Sequence, residues 1–384
     1  MERTSVEEIM EKNFLKIGAD ERVSKLLGLL NAAKKYHAVV FDSSDTYLGI
    51  TSTSGLLRRQ ADLSQMKVRS VTDENRPMLS REMSLMKAAE LMYVSDSRVL
   101  PVVENGSVYG IVSADALIRE AAERSPIASA RAKDIASSAL VVLKQGESLG
   151  KAVSLMKERN IKRILVVDKT GKVSGTLSLR NLMEKYLAQS TGGRIASLGD
   201  AHGHSTERDS ALTIPVSSEM STLFKTIEPD KKIGPVLSDI ENGYSIVLTE
   251  KGKPTGIITR RDLLEAIVKT GAVERNIQTA NMPALDEVDL ARVNSTINAA
   301  YDRVKRSLNT TYFLLVHFKQ YKQAGGKTKH SIHVHASGPG MNFKAEAVSW
   351  NVITSLQDAL GELEREIRKG IGRKSRSSKK ARAK

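Results

Sequence analysis

Residues 244–264 read YSIVLTEKGKPTGIITRRDLL. Two β-branched runs flank a Lys-Gly turn, which makes a hairpin, and a helix opens directly behind Thr259. The same phrase occurs at 37–57 (HAVVFDSSDTYLGITSTSGLL), 98–118 (RVLPVVENGSVYGIVSADALI) and 163–183 (RILVVDKTGKVSGTLSLRNLM). Gly49, Gly110, Gly175 and Gly256 hold the same place in the four copies, roughly 60 to 80 residues apart, a period that marks a repeat architecture.

Upstream of the hairpins, Leu85, Ala88, Ala89 and Met92, and again Leu149, Ala152, Val153 and Met156, have the spacing of a helix with one apolar face. Each repeat therefore reads strand, helix, strand, strand, helix. An apolar helix stripe over a small sheet makes an α+β layer. This pattern resembles the CBS domain, a cystathionine-β-synthase-type repeat. The resemblance implies that the repeats pair into two tandem modules, 1–125 and 126–272, with adenine nucleotide (AMP, ADP or ATP) bound as a regulatory ligand in the clefts between them.

In that family, a Gly, two apolar residues, Ser or Thr, two residues and Asp place a hydroxyl and a carboxylate at the start of the last helix. A carboxylate there can accept from both ribose hydroxyls, and the helix N-terminus beside it favours phosphate. The fourth repeat matches in full with Gly256, Thr259 and Asp262, and Arg260 and Arg261 are candidate phosphate contacts. Ile227 and Ile246 are candidates to enclose the base. The third repeat offers Ser178, Arg180 and Asn181; the second keeps Ser113 but shifts the acid to Asp115; the first has Gly55 at the acid position. Plain helix capping also accounts for a Thr followed three residues later by an acid. The arginines beside Asp262 favour the nucleotide reading.

Residues 190–211, STGGRIASLGDAHGHSTERDSA in outline, lose the pattern and are expected to form a mobile loop. His202 and His204 lie there, two residues apart, too few for a metal site. Beyond Gly271 the periodicity predicts a small β-α-β-β-β-α domain over 276–371. Val293, Ile297, Tyr301, Val304 and Leu308 form its first helix stripe; Val352, Leu356, Ala359, Leu360, Leu363 and Ile367 form the last. Between them KHSIHVHAS, from Lys329, alternates with period two and puts Lys329, His333 and His335 on an open sheet face, with Lys319 and Lys344.

That order, with HSIHVHASGPGMNFKAEA followed by ITSLQDALGELEREIRK, resembles the ribosome hibernation-promoting factor family. The resemblance implies a domain that enters the small ribosomal subunit and holds rRNA phosphates with Lys and Arg. Placed by charge and position, the candidate contacts are Arg292, Arg303, Lys305, Arg306, Lys329, Lys344, Arg365, Arg368, Lys369, Arg373 and Lys374. Residues 365–384 carry ten Lys/Arg against one Glu, nine of the fifteen net positive charges. The basic tail at 372–384 is either a solvated extension or a phosphate-seeking arm.

The 384 residues contain no cysteine, which excludes disulfides and thiolate chemistry and fits a reducing compartment. No apolar run is long enough for a membrane span, and a cytoplasmic location is expected. No Walker loop, HExxH or GxSxG is present, so no catalytic residue, catalytic cofactor or metal is expected. The combined reading is a non-enzymatic adenine-nucleotide sensor, homodimeric through its repeats, that binds the small ribosomal subunit and blocks translation. The alternative is a nucleotide-regulated DNA- or RNA-binding regulator not specific to ribosomes.

Overall fold

The computed structural model describes residues 4–52, 66–124, 126–159, 161–178, 182, 213–241, 244–269, 276–308, 312–322, 328–338 and 341–382. The expected loop at 190–211, Gly55, Arg180 and Asn181 lie outside them. The chain forms two compact units, Met1–Ala89 with Arg98–Thr270, and Glu90–Ser97 with Gly271–Lys384.

The first unit holds the repeats, apart from Glu90–Ser97 of the second repeat, which are grouped with the second unit. The first repeat consists of β1 (Lys16–Gly18), α1 (Val23–Ala32), β2 (His37–Phe41) and β3 (Tyr47–Ser52). The second has α2 (Leu85–Val94), β4 (Val99–Glu104), β5 (Ser107–Ser113) and α3 (Ala114–Arg124), followed by the short α4 (Ala132–Ile135). The third has β6 (Val142–Lys144), α5 (Leu149–Glu158), β7 (Arg163–Val167) and β8 (Val173–Ser178). The fourth has β9 (Phe224–Ile227), α6 (Leu237–Glu241), β10 (Ser245–Glu250), β11 (Lys253–Ile258) and α7 (Arg260–Lys269). In the first, third and fourth repeats the leading strand runs parallel to the second, which pairs antiparallel with the third. A single parallel bridge, Leu79 to Val102, takes the place of the leading strand in the second.

Two of the turns show why their residues are there. Asn105 and Gly106 have φ of 51° and 78°, and Lys251 and Gly252 have 52° and 82°. Positive φ at both central residues matches the right-handed twist of the flanking strands, and a glycine adopts it at little cost. The apolar helix stripes at 85–92 and 149–156 are buried as their spacing demands.

The segments leading into each repeat are exchanged. Asp73, ahead of the second repeat, bridges Ile50 of the first, and Glu11, ahead of the first, bridges Ile111 of the second. Ser221 and Thr176, and Ser137 and Ile257, repeat the exchange between the third and fourth. First with second and third with fourth thus form reciprocal pairs, and the strand residues that receive a crossing segment directly follow Gly49, Gly110, Gly175 and Gly256.

In the second unit β12 (Asn276–Ala280), β13 (Phe313–Lys322), β14 (Thr328–Gly338) and β15 (Met341–Ser349) form one sheet in that order. One face packs against α8 (Glu287–Leu308) and α9 (Val352–Arg382) through Val293, Ile297, Tyr301, Leu356, Leu360 and Leu363. Asp286 caps α8, its Oδ1 accepting from Asp289 N at 2.7 Å, and Asn351 Oδ1 accepts from Ile353 N at 2.9 Å at the start of α9. The expected tail at 372–384 differs: α9 continues to Arg382. After Gly372 the segment is Lys, Arg, Ala and Ser with no proline or glycine to stop it.

Candidate functional site

The fourth hairpin ends where β11 delivers Thr259 to the first turn of α7. Thr259 N and Oγ1 both donate to Asp262 Oδ2, at 2.7 and 2.5 Å. This bond pair orients the carboxylate and leaves Oδ1 with lone pairs for a further donor. Asp262 is partly buried. Burial pushes its carboxyl above the ordinary range, and the bonds from Thr259 pull it part of the way back.

Asp262 faces a cleft of about 610 Å3. One wall is α7, through Asp262, Glu265, Ala266 and Lys269; the other is the crossing segment that leads into the third repeat, from Ile127 through Asp134 to Ala139. That segment is anchored by Ser137 N donating to Ile257 O and Ile257 N to Ser137 O, each at 3.0 Å. Lys269 Nζ lies 2.9 Å from Glu265 Oε1. A carboxylate at a helix start, beside small and apolar residues in a cleft of this size, suits a ribose with a flat base.

Thr259 and Asp262 meet at the start of α7, and of the two Asp262 lines the cleft; several other candidate residues lie away from it. Ile246 is fully buried in the β10 layer and Ile227 lies on β9, and neither lines the cleft. A base would instead meet Ile135, Ala136 and Ala139. Arg260 is turned away and paired through Nε with Asp115 Oδ1 of the second repeat, so the two candidates satisfy each other. Arg261 is not among the lining residues. Gly256 packs against Ala136 Cβ and serves the close approach of the crossing segment. Ser113 Oγ accepts from Ala116 N at 3.1 Å, a helix cap, and Ser178 is buried at the end of β8. Sequence reasoning missed Asp134 through Ala139, because they precede the third repeat yet serve the fourth. The signal was available in the small-residue run Ala136-Ser137-Ser138-Ala139 ahead of a leading strand.

The basic side chains of the second unit are more compensated than the sequence suggests. Arg303 donates through Nε and Nη2 to Glu364 Oε1 at 3.0 and 2.8 Å, tying α8 to α9. Arg365 pairs with Glu362 at 2.6 Å, Lys369 with Glu366 at 2.7 Å, Arg368 with Glu364 at 4.0 Å and Arg292 with Asp289 at 3.8 Å. Arg306 Nε donates to Asp302 O at 3.3 Å, and Lys305 is partly buried. Arg373 and Lys374 belong to the α9 backbone. Arg303 is half exposed but Glu364 is only 16% exposed, so Arg303→Ala should lower the stability of this unit by about 1–2 kcal/mol, read as a shift in the urea midpoint.

The sheet face away from the helices also departs from expectation. Lys329 and Lys344 are on it, with Lys344 exposed, but His335 is buried and its Nε2 lies 2.8 Å from Asn342 Oδ1. Beside it Phe313, Leu315 and Ser337 are buried as well. Within the same unit Asn276 Nδ2 donates to Glu90 Oε1 at 2.9 Å. The face is open along β15, at Asn342, Lys344 and Glu346, and at its end around Lys329.

Residues 6–62, 68–123, 132–188 and 216–269 match the CBS domain. An uncharacterized protein of Methanocaldococcus jannaschii is 25% identical over 366 residues, 93% of this chain and 84% of its own length. A 33.4 kDa protein in the ribosomal RNA operon of Thermofilum pendens is 26% identical over 201 residues, 52% of this chain and 63% of its own. A solved M. jannaschii structure, proposed as an archaeal homologue of γ-AMPK, superposes with a TM-score of 0.57 at 16% identity, over 68% of this chain and 99% of that one. No helix among the described residues is long and apolar enough to cross a membrane.

Proposed function

This chain belongs to the CBS-domain family, and we propose that it is a non-enzymatic sensor of adenine nucleotide whose C-terminal unit acts on the ribosome. The observation that carries the first half is the Asp262 carboxylate, fixed by Thr259 at the mouth of a cleft between α7 and the crossing segment. The likeness to a γ-AMPK homologue points the same way. Ribose hydroxyls donate to Asp262, and the base lies against Ile135, Ala136 and Ala139. With Arg260 held by Asp115, the phosphates depend on the N–H groups at the start of α7.

The second half draws on the resemblance of residues 276–370 to hibernation-promoting factors, and on a relative named for its place in a ribosomal RNA operon. Nucleotide can regulate such a unit only by binding one conformation of the repeats more tightly than another. Copies associating through their repeats would also bring two such units together.

Calorimetric titration with AMP, ADP and ATP tests the cleft. Asp262→Ala should weaken binding about 10- to 100-fold, since the ribose loses its charged acceptor. Equal affinity of variant and wild type removes the cleft from the proposal. Co-sedimentation with small ribosomal subunits, with and without the nucleotide that binds, tests the second half. Protein that stays at the top of the gradient in every condition ends the ribosomal reading.

Asp262→Asn separates function from stability. The folded-state carboxyl lies above its unfolded value, so its contribution is favourable below the unfolded pKa and is lost as pH rises through the folded one. At neutral pH the ionised group is a net cost, while asparagine keeps an oxygen for the Thr259 bonds. The variant should therefore melt at or above the wild-type temperature at pH 7, with that advantage gone near pH 4, while nucleotide affinity falls.

A further inference from the structure

The open end of the C-terminal sheet carries a group of side chains that the packing does not use. Register places Tyr321 beside Lys329, and Lys319, Ser331 and Val348 in the next row. Trp350 completes the first row, its ring centroid 5.6 Å from Lys329 Nζ. Tyr321, Val348 and Trp350 are 52%, 50% and 53% exposed, although Phe313, Leu315, His335 and Ser337 farther along the same face are buried. Large rings left in water on a sheet, interleaved with lysines, are unusual for a surface that only has to be soluble.

The charge is one-sided. Among the described residues of β13, β14 and β15 on this face, Lys319, Lys329 and Lys344 stand with one acid, Glu346, whose Oε2 lies 3.2 Å from His333 Nδ1. The field is felt by His317, whose imidazole is pushed below its ordinary range by burial first, then by Lys319 and His333.

We infer that this end of the sheet binds single-stranded RNA, with Trp350 and Tyr321 each stacking on an unpaired base and Lys319 and Lys329 taking the phosphates between them. The inference rests on the RNA-directed reading of this unit and deepens it, because it places the contact on the sheet and not on the helices, where Arg292, Arg303, Arg365 and Arg368 are paired with acids. The chemistry selects the partner. An aromatic ring stacks on any base whose face is free, which a duplex does not offer, and lysines along the row neutralise a backbone that a protein partner lacks. Tyr321 on β13 and Trp350, directly after the end of β15, flank β14 and so lie roughly 10 Å apart by strand spacing, so each takes its own base.

Trp350 is the only tryptophan in the chain, which makes the test direct. Intact protein is titrated with a ten-nucleotide uridine RNA, following tryptophan emission, and binding is measured in parallel by anisotropy of the fluorescein-labelled oligonucleotide. Stacking predicts strong quenching, a loss of affinity of about tenfold or more in both Trp350→Ala and Tyr321→Ala, and near wild-type affinity in Trp350→Phe. A matching duplex should bind more weakly. Unchanged circular dichroism and urea midpoint show that the variants fold. Binding without quenching, and with Trp350→Ala at wild-type affinity, overturns the platform while leaving an RNA-binding unit. Absence of oligonucleotide binding alongside co-sedimentation with small subunits also overturns it, and leaves the ribosomal reading standing. If instead Trp350→Ala dissociates a dimer and leaves RNA affinity untouched, the patch joins two copies of the chain and the inference fails.

Discussion

Tyr301→Ala should lower the stability of the C-terminal unit by about 3–5 kcal/mol, the range for removing a fully buried aromatic. Tyr301 and Tyr312 are both wholly buried, with ring centroids 4.5 Å apart and planes inclined by 15°. Tyr301 Oη donates to Tyr312 O at 3.1 Å and accepts from Asn276 N at 3.3 Å, while Tyr312 Oη donates to Tyr301 O at 3.0 Å. One ring pair thus joins α8, the entry to β13 and the start of β12. Alanine loses the area and the stacking, and it leaves the Asn276 N–H and a carbonyl unsatisfied in the core. Tyr301→Phe keeps the ring and should cost only about 1–2 kcal/mol. Urea denaturation followed by Trp350 emission reports this unit selectively. A loss below about 1 kcal/mol in the alanine variant would mean that the pair is not the joint described here.

The same pair sets an alkaline limit. Burial, then the neighbouring Tyr301, pushes the Tyr312 phenol above its ordinary range. The unfolded chain releases that proton near pH 10 while the folded chain keeps it, so the contribution is present below about pH 10 and is lost as pH rises further. The urea midpoint of this unit should fall between pH 10 and 11, and a flat profile there would contradict the burial of the phenol.

What the sequence made legible was local. The β-branched runs, the Asn-Gly and Lys-Gly turns and the stripes through Leu85 and Leu149 identify the repeats because each is a short-range pattern with one physical solution. Asp262 was legible for the same reason, since the helix-start motif lies within seven residues. The rest of the cleft was not, because Asp134 to Ala139 reach α7 only by crossing to the neighbouring repeat. No local pattern states which strand a segment will join. Charge misled in a related way. Arg260 and Arg303 read as free cations along the chain, and only the tertiary arrangement supplies Asp115 and Glu364. The exposed pair of Trp350 and Tyr321 escaped notice because a period-two strand assigns faces without saying how much of a face remains open.

Gly49→Val should destabilise the first repeat pair by about 3 kcal/mol or more, at or beyond the upper end of ordinary overpacking. A Cβ built at Gly49 falls 2.6 Å from Asp73 O and 3.0 Å from Asp73 C, so beside its contact with Thr72 Cγ2 at 2.7 Å the clash is with the backbone of the crossing segment, which cannot swing aside. The strand cannot retreat either, because Ile50 and Asp73 are bonded in both directions, at 3.3 and 2.9 Å. Gly110 stands in the same relation, its Cβ position 2.9 Å from Glu11 O, and at Gly175 a Cβ would meet Met220 Sδ at 2.7 Å as well as Ser221 O at 3.0 Å. Gly49, Gly110 and Gly175 are therefore explained by the exchange of leading segments and not by turn conformation. Gly256 is the informative exception. Its Cβ would meet Ala136 Cβ at 3.1 Å, a contact that a shift of a few tenths of an ångström relieves. Ala136 lines the cleft, so Gly256→Ala should cost little stability but push the crossing segment toward the bound base. Thermal melts of the alanine series at 49, 110, 175 and 256 should show the first three clearly destabilised and the fourth close to wild type. Nucleotide titration should then find Gly256→Ala impaired in affinity. Uniform losses across the four, with nucleotide affinity unchanged in the last, would mean that the glycines serve only chain conformation and that Ala136 does not border the ligand.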